Sequence, residues 1–132
     1  MITYKTRVYY EDTDAVGVVY YANYLKWMER ARTEWLHHLG LSLASLNQQA
    51  CMLVVHHIDI SYRSPARLEE QISLRCRLTE VGAGRVRMYQ SVEREEQVLV
   101  EGYVTLALVD SETFKVKRFP KELRERLMRE VI

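Results

Sequence analysis

Tyr10-Glu11-Asp12-Thr13-Asp14-Ala15-Val16-Gly17-Val18-Val19-Tyr20-Tyr21-Ala22-Asn23-Tyr24 joins a strand-like run to the one long helical pattern in the chain. Upstream, Thr3 to Tyr10 is rich in tyrosine, threonine and valine and reads as a strand. Downstream, Asn23 is placed to cap a helix beginning at Tyr24, and Tyr24, Met28, Ala31, Trp35 and Leu39 recur at helical spacing. Gly40 supplies the stop. Lys26 with Glu29, and Arg30 with Glu34, pair on the opposite, solvated face. A helix of about 17 residues runs about 25 Å, enough to cross a small sheet.

The rest of the chain supplies that sheet. Leu41 to Gln49 reads as a short second helix, and four strand-like runs follow. In Met52 to Ser64, alternation puts His56, Ile58, Ile60 and Tyr62 on one face. Next, Ile72, Leu74, Cys76 and Leu78 alternate with Ser73, Arg75, Arg77 and Thr79. Gly82-Ala83-Gly84 turns into Arg85 to Glu93, with Val86, Met88 and Val92 on one side. Glu95-Glu96 turns again into Gln97 to Asp110, where Val98, Val100, Val104, Leu106 and Leu108 are in register. Short links make the last three strands an antiparallel meander. Pro120 starts a terminal helix carrying Leu123, Leu127 and Val131 on one line. The expectation is a single α+β domain over residues 1–132, its antiparallel sheet packed on one long central helix.

Composition narrows the function. Hydrophobic residues make up 48% and charged residues 28% of the 132 positions, as in an ordinary globular domain. The 19 basic and 18 acidic residues nearly cancel, which gives no global field for nucleic acid or an anionic membrane. The charge is uneven: between Lys115 and Ile132 seven Lys or Arg face three Glu, leaving a basic tail on a slightly acidic body. Cys51 and Cys76 make neither a metal spacing nor a disulfide framework and read as reduced thiols of a cytoplasmic protein. No signal peptide or run of eighteen apolar residues is present, so no transmembrane segment is expected.

The opening loop is the strongest candidate for chemistry. Asp12 and Asp14 precede a helix whose first N–H groups have no internal acceptor, and Gly17 lets a backbone approach closely. Asp14, nearer the helix, could act as nucleophile or water-orienting base beside donors able to hold an oxyanion. Tyr20 and Tyr21 stand beside it, where a hydroxyl could meet substrate, and Glu29 is a second possible carboxylate one or two turns into the helix. Other readings fall away. Asp12-x-Asp14 with Gly17 begins like a calcium loop, but Val16 fills a ligand position and Asn23 stands where the bidentate Glu belongs. His37-His38 and His56-His57 are adjacent pairs that point apart, so no metal site is expected. No G-x-S-x-G elbow, dinucleotide fingerprint or P-loop occurs.

The run Tyr10 to Asp14, with Gly17-Val18-Val19-Tyr20, Asn23-Tyr24 and Glu29-Arg30-Ala31-Arg32, resembles the hotdog-fold acyl-CoA thioesterases. It is most similar to the YbgC-type branch of the 4-hydroxybenzoyl-CoA thioesterase group. The similarity continues through Tyr62-Arg63-Ser64-Pro65-Ala66-Arg67-Leu68 to the final strands. The resemblance implies a sheet wrapped around a central helix and a homo-oligomer, dimer or tetramer, with active sites between subunits. It implies hydrolysis of acyl-CoA to free acid and CoA without a cofactor, with Asp14 as the catalytic carboxylate. Backbone N–H groups around Tyr21, Ala22 and Asn23 would polarise the thioester carbonyl, with Gly17, Val18 and Tyr20 also against substrate. Many members carry His where this chain has Tyr21, so a neutral phenol replaces an imidazole. A second function is therefore kept open: binding of acyl-CoA or acyl carrier protein with little catalysis.

Overall fold

Alternation along the strands, more than any local helix propensity, sets the layers. The computed structural model describes residues 2–131. Strand β1 (Ile2–Arg7) leads through a single 3₁₀ turn at Tyr10–Asp12 to helix α1 (Tyr21–His38) and short helix α2 (Leu43–Gln48). Strands β2 (Cys51–Tyr62), β3 (Gln71–Val81), β4 (Arg85–Arg94) and β5 (Gln97–Asp110) follow, and α3 (Lys121–Arg129) is the last element. The strands form one sheet in the order β1-β3-β4-β5-β2, with every neighbouring pair antiparallel. The meander β3-β4-β5 is as expected from the short links. β1 and β2 are the two edges.

The inner face carries Ile72, Leu74, Cys76 and Leu78 from β3, Val86, Met88 and Val92 from β4, and Val100, Val104, Leu106 and Leu108 from β5, all buried. Across it lies α1, which buries Tyr24, Trp27, Met28, Ala31, Trp35 and Leu36. Burial of each large apolar side chain contributes about 1.5–3 kcal/mol, so this layer supplies most of the driving force. One polar residue breaks the apolar face. Gln90 of β4 is 0% exposed, and its Nε2 donates to the Met28 carbonyl of α1 at 2.9 Å. Arg32 of α1 in turn donates to Gln90 Oε1 at 3.0 Å, so the pair stays hydrogen-bonded inside the fold. Burial lowers the pKa of the Arg32 guanidinium, and raises that of the neighbouring Cys76 thiol to about 12.

Several boundaries differ from the sequence expectation. Helix α1 begins three residues early, at Tyr21, with Tyr20 in the capping position and no side-chain cap. Asn23 is inside the first turn, and its Nδ2 donates to the Asp12 carbonyl at 2.8 Å instead of capping the helix. The Asp12 carbonyl oxygen, which also accepts from the Tyr20 N–H, fixes the helix entry without occupying the first-turn N–H groups of Tyr21 and Ala22. β1 stops at Arg7, since Tyr10 enters the 3₁₀ turn. In β2 the register shifts between Val55 and His57, so His56 is the extra residue of a bulge. Ile58, Ile60 and Tyr62 keep the inner side as expected, while His56 leaves that alternation. Val131 lies beyond α3 and is exposed, so Leu127 is the buried anchor of that helix.

Helix α1 leans over β1, β3 and β4, leaving the inner side of β2 only partly covered. Val55 remains 47% and Tyr62 45% exposed there. Beside β2, Gly102 of β5 sits so close to the chain at Asp59 and Ile60 that a Cβ would strike the Asp59 carbonyl oxygen. Among the described residues, no helix is long and apolar enough to cross a membrane.

Candidate active site

The two loop aspartates have separate duties. Asp12 is 7% exposed, and its Oδ2 accepts from the Tyr9 N–H at 2.9 Å. Its carbonyl oxygen accepts from the Tyr20 N–H at 3.0 Å and from Asn23 Nδ2 at 2.8 Å. Asp12 therefore fixes the start of α1. Asp14 is exposed, and its carboxylate takes one protein hydrogen bond, from the Val16 N–H to Oδ1 at 2.9 Å. Its second oxygen has no protein donor among the described residues, which leaves it available to a substrate or a water.

Backbone bonds hold Asp14 in place. The Asp14 N–H donates to Val18 O at 2.9 Å, and the Gly17 N–H to Asp14 O at 3.1 Å, closing a tight turn. Gly17 adopts φ +81° in that turn, a conformation that glycine takes without strain. Val19 then donates to Ala66 O at 2.9 Å, and bridge pairs join Thr13 with Val19 and Val18 with Arg67. The loop is thus stitched to the segment after β2, a contact that the sequence reading missed. Its signal was the Ser64-Pro65 turn immediately beyond that strand.

At the helix entry the Tyr21 and Ala22 N–H groups lack a protein acceptor among the described residues, as the first donors of a helix do. They carry the positive end of the α1 dipole. Next to them Tyr21, Tyr24 and Tyr62 line a cavity of about 230 Å³ with Val19, Ser64 and Pro65. Ring centroids of Tyr24 and Tyr62 are 5.6 Å apart, and those of Tyr21 and Tyr62 are 6.3 Å apart and edge-on. Buried Tyr24 accepts at Oη from the Ala66 N–H at 2.9 Å, and Tyr62 Oη reaches the Tyr21 carbonyl at 3.5 Å. Burial raises the pKa of both phenols. That of Tyr20 rises too, chiefly through a hydrogen bond with the Tyr21 side chain. All three therefore stay neutral at physiological pH and act as donors or acceptors, not as bases.

Of the residues singled out in the sequence, Asp14, Gly17 and Val18 form the turn, while Tyr20, Tyr21, Ala22 and Asn23 form the helix entry. Glu29 is elsewhere. It lies seven residues beyond Ala22, about 10 Å along the helix, and lines a separate cavity of about 140 Å³ with Arg32, Thr33 and Trp35. Its Oε1 accepts from the Thr33 hydroxyl at 3.2 Å. Among the described residues, no three His, Cys, Asp or Glu side chains are grouped so as to hold a metal ion.

Residues 8–127 match the model of the thioesterase-like superfamily. The acyl-CoA thioester hydrolase YbgC of Escherichia coli O6:H1 is 36% identical over 124 residues, covering 93% of this chain and 92% of that protein. The acyl-CoA thioesterase YbgC of Haemophilus influenzae is 37% identical, with coverage of 92% and 90%. Among solved structures, a protein from Bartonella henselae described as a probable thioesterase superposes with a TM-score of 0.86 at 32% identity, covering 90% of this chain and 98% of that one. A Thermus thermophilus protein superposes at 0.90 with 27% identity over 97% and 98% of the two chains. Sheet, helix and loop together identify the fold as the hotdog, and the chain belongs to the thioesterase-like superfamily, in its YbgC-type group.

Proposed function

We propose that this protein hydrolyses acyl-CoA thioesters to free acid and CoA, with Asp14 as the catalytic carboxylate. The observation that carries the reading is an exposed Asp14 carboxylate with a free oxygen, on a turn tied through Asp12 to a helix entry that presents two unused N–H donors. The thioester oxygen would lie against the Tyr21 and Ala22 N–H groups, where negative charge develops as the carbonyl carbon becomes tetrahedral. In the nucleophilic route an Asp14 oxygen bonds to that carbon, the C–S bond breaks and CoA leaves as a thiolate. Water then opens the mixed anhydride, restoring Asp14 and releasing the acid. In the general-base route Asp14 takes a proton from the attacking water instead. Label found in Asp14 after a single turnover in ¹⁸O-water establishes the nucleophilic route, because it enters only when water opens the anhydride at the aspartyl carbon.

Asp14→Asn is expected to lower kcat by several powers of ten while leaving the fold and acyl-CoA affinity in place. Near-wild-type turnover in that variant would sink the reading. A second function, acyl-CoA or acyl carrier protein binding with little turnover, draws on Tyr21. This phenol is 60% exposed at the cavity mouth, where an imidazole is common in the family. A panel of short, long and aromatic acyl-CoAs scored by free-thiol release decides between them, since turnover of any one at enzyme-like rates removes the binding-only function.

The working unit is read as a dimer or a pair of dimers. β2 is a 12-residue edge strand with a row of unpaired backbone groups and a half-covered apolar inner side, and such an edge favours pairing with a second copy. Two free, buried cysteines fit the reducing cytoplasm.

A further inference from the structure

The Asp14 turn is bonded to the link between β2 and β3, residues 63–70, which follow neither helix nor strand. Val18 bridges to Arg67, and the Val19 N–H donates to the Ala66 carbonyl at 2.9 Å. The Ala66 N–H in turn donates to Tyr24 Oη in the cavity wall. An irregular link has no ladder of its own to hold it, so its side-chain anchors decide where the turn stands.

Those anchors converge on one pair. Arg94, at the end of β4, donates from Nη1 to both carboxylate oxygens of Glu70, at 2.8 and 3.0 Å, and reaches the Pro65 carbonyl at 3.4 Å. Glu70 Oε1 also accepts from the Arg67 N–H at 2.6 Å. The guanidinium is itself set by Gln97 Oε1, which accepts from Nη2 at 3.1 Å across the β4-β5 turn. One side chain on a paired strand therefore grips the link at Pro65 and, through Glu70, at Arg67, on either side of the Ala66 carbonyl that carries Val19. Next to Glu70, Glu69 is at φ +70°, a conformation that a non-glycine residue keeps only where its surroundings enforce it. The Val8 carbonyl accepts its N–H, and Arg7 Nη1 donates to its carbonyl.

Stability alone does not account for the pair. Its side chains are 25% and 27% exposed, and a part-exposed ion pair contributes little to folding. What it supplies is a fixed distance. Bonded steps lead from Arg94 to Glu70, from Glu70 to Arg67, across the bridge to Val18, and from the Val18 carbonyl to the Asp14 N–H at 2.9 Å. A reacting group displaced by about 1 Å can lose about a hundredfold in rate. We propose that Arg94 and Glu70 are positioning residues for the hydrolysis, holding the Asp14 carboxylate in register with the Tyr21 and Ala22 N–H groups. The inference rests on Asp14 being the catalytic carboxylate.

Arg94→Ala in the full chain, assayed with the acyl-CoA of the panel that wild type turns over fastest, should lower kcat about tenfold to a hundredfold. KM should stay within about twofold, as expected when an interaction acts only on the transition state. Hydrogen exchange should rise in residues 13–19 in the same variant. Glu70→Gln, which keeps an acceptor for the Arg67 N–H, should lose less kcat than Glu70→Ala. Asp110→Asn, weakened at the far end of β5, is the control for a merely structural loss and should keep wild-type kcat. Wild-type kcat in Arg94→Ala despite faster exchange, a loss seen in KM alone, or an equal loss of kcat in Asp110→Asn overturns the positioning role. Failure of the Asp14 reading is separate: turnover is then retained in Asp14→Asn, and the positioning role falls with it even where exchange in Arg94→Ala rises.

Discussion

Two aspartates two positions apart look interchangeable in sequence, and their surroundings make them opposites. Asp12 spends its carboxylate on the Tyr9 N–H and its carbonyl on the helix entry, while Asp14 keeps an oxygen free. Asp12→Ala should therefore cost about 1–3 kcal/mol, the penalty of orphaning buried hydrogen-bond partners, read as a lower midpoint in urea. Turnover should fall with it, because the donors at Tyr21 and Ala22 lose their anchor. Asp14→Asn should do the reverse, removing turnover at little cost in stability. Asp14 was legible because a carboxylate before a helix start is a recognisable pattern. The role of Asp12 was not, since it depends on a backbone carbonyl meeting Asn23 eleven residues later. Asn23 was misread for the same reason: its type suits a cap, and only the loop's path reveals that the capping place is taken.

At the scale of elements, the alternating strands and the long helix were legible because period and length are written in the order of side chains. The bulge at His56 was not, for an inserted residue leaves local composition unchanged and appears only against β5. Contact between β5 and β2 also explains Gly102. Gly102→Ala would drive a Cβ into the Asp59 carbonyl, and the strands must separate to admit it. A loss of about 1–3 kcal/mol is expected, with hydrogen exchange rising first along β2. The end of β5 is held differently. The Thr113 N–H, and then the Glu112 N–H, bond to the Asp110 carboxylate and hold its pKa below the ordinary 3.8. A depressed folded pKa contributes stability that is present above the unfolded value and lost as pH falls through the lower folded one. Asp110→Asn should thus be less stable than wild type at neutral pH, with the gap closing below about pH 4 in thermal melts. A constant gap down to acid would rule this out.

For the whole molecule, layer order followed from the sequence, but the lean of α1 away from β2 did not, because side-chain volumes on three strands set it jointly. Gln90 stands in the middle of that packing, where alternation alone would put an apolar residue, and its bond to Met28 ties sheet to helix. Gln90→Met, close in volume, leaves the Met28 carbonyl and the Arg32 guanidinium without their partner and should cost about 1–3 kcal/mol, read as a lower melting temperature. It should also lower kcat several-fold while KM changes less, as the helix entry loses its fixed setting relative to the loop. Unchanged kcat would show that packing alone sets the helix.

An apolar helix face can slide by a fraction of a turn against an apolar sheet and find nearly equal contacts, like a ruler with no zero mark. The amide of Gln90 supplies that mark. It has a single carbonyl to meet, and every distance measured from the first turn of α1, including the reach from its donors to a bound thioester, is counted from there.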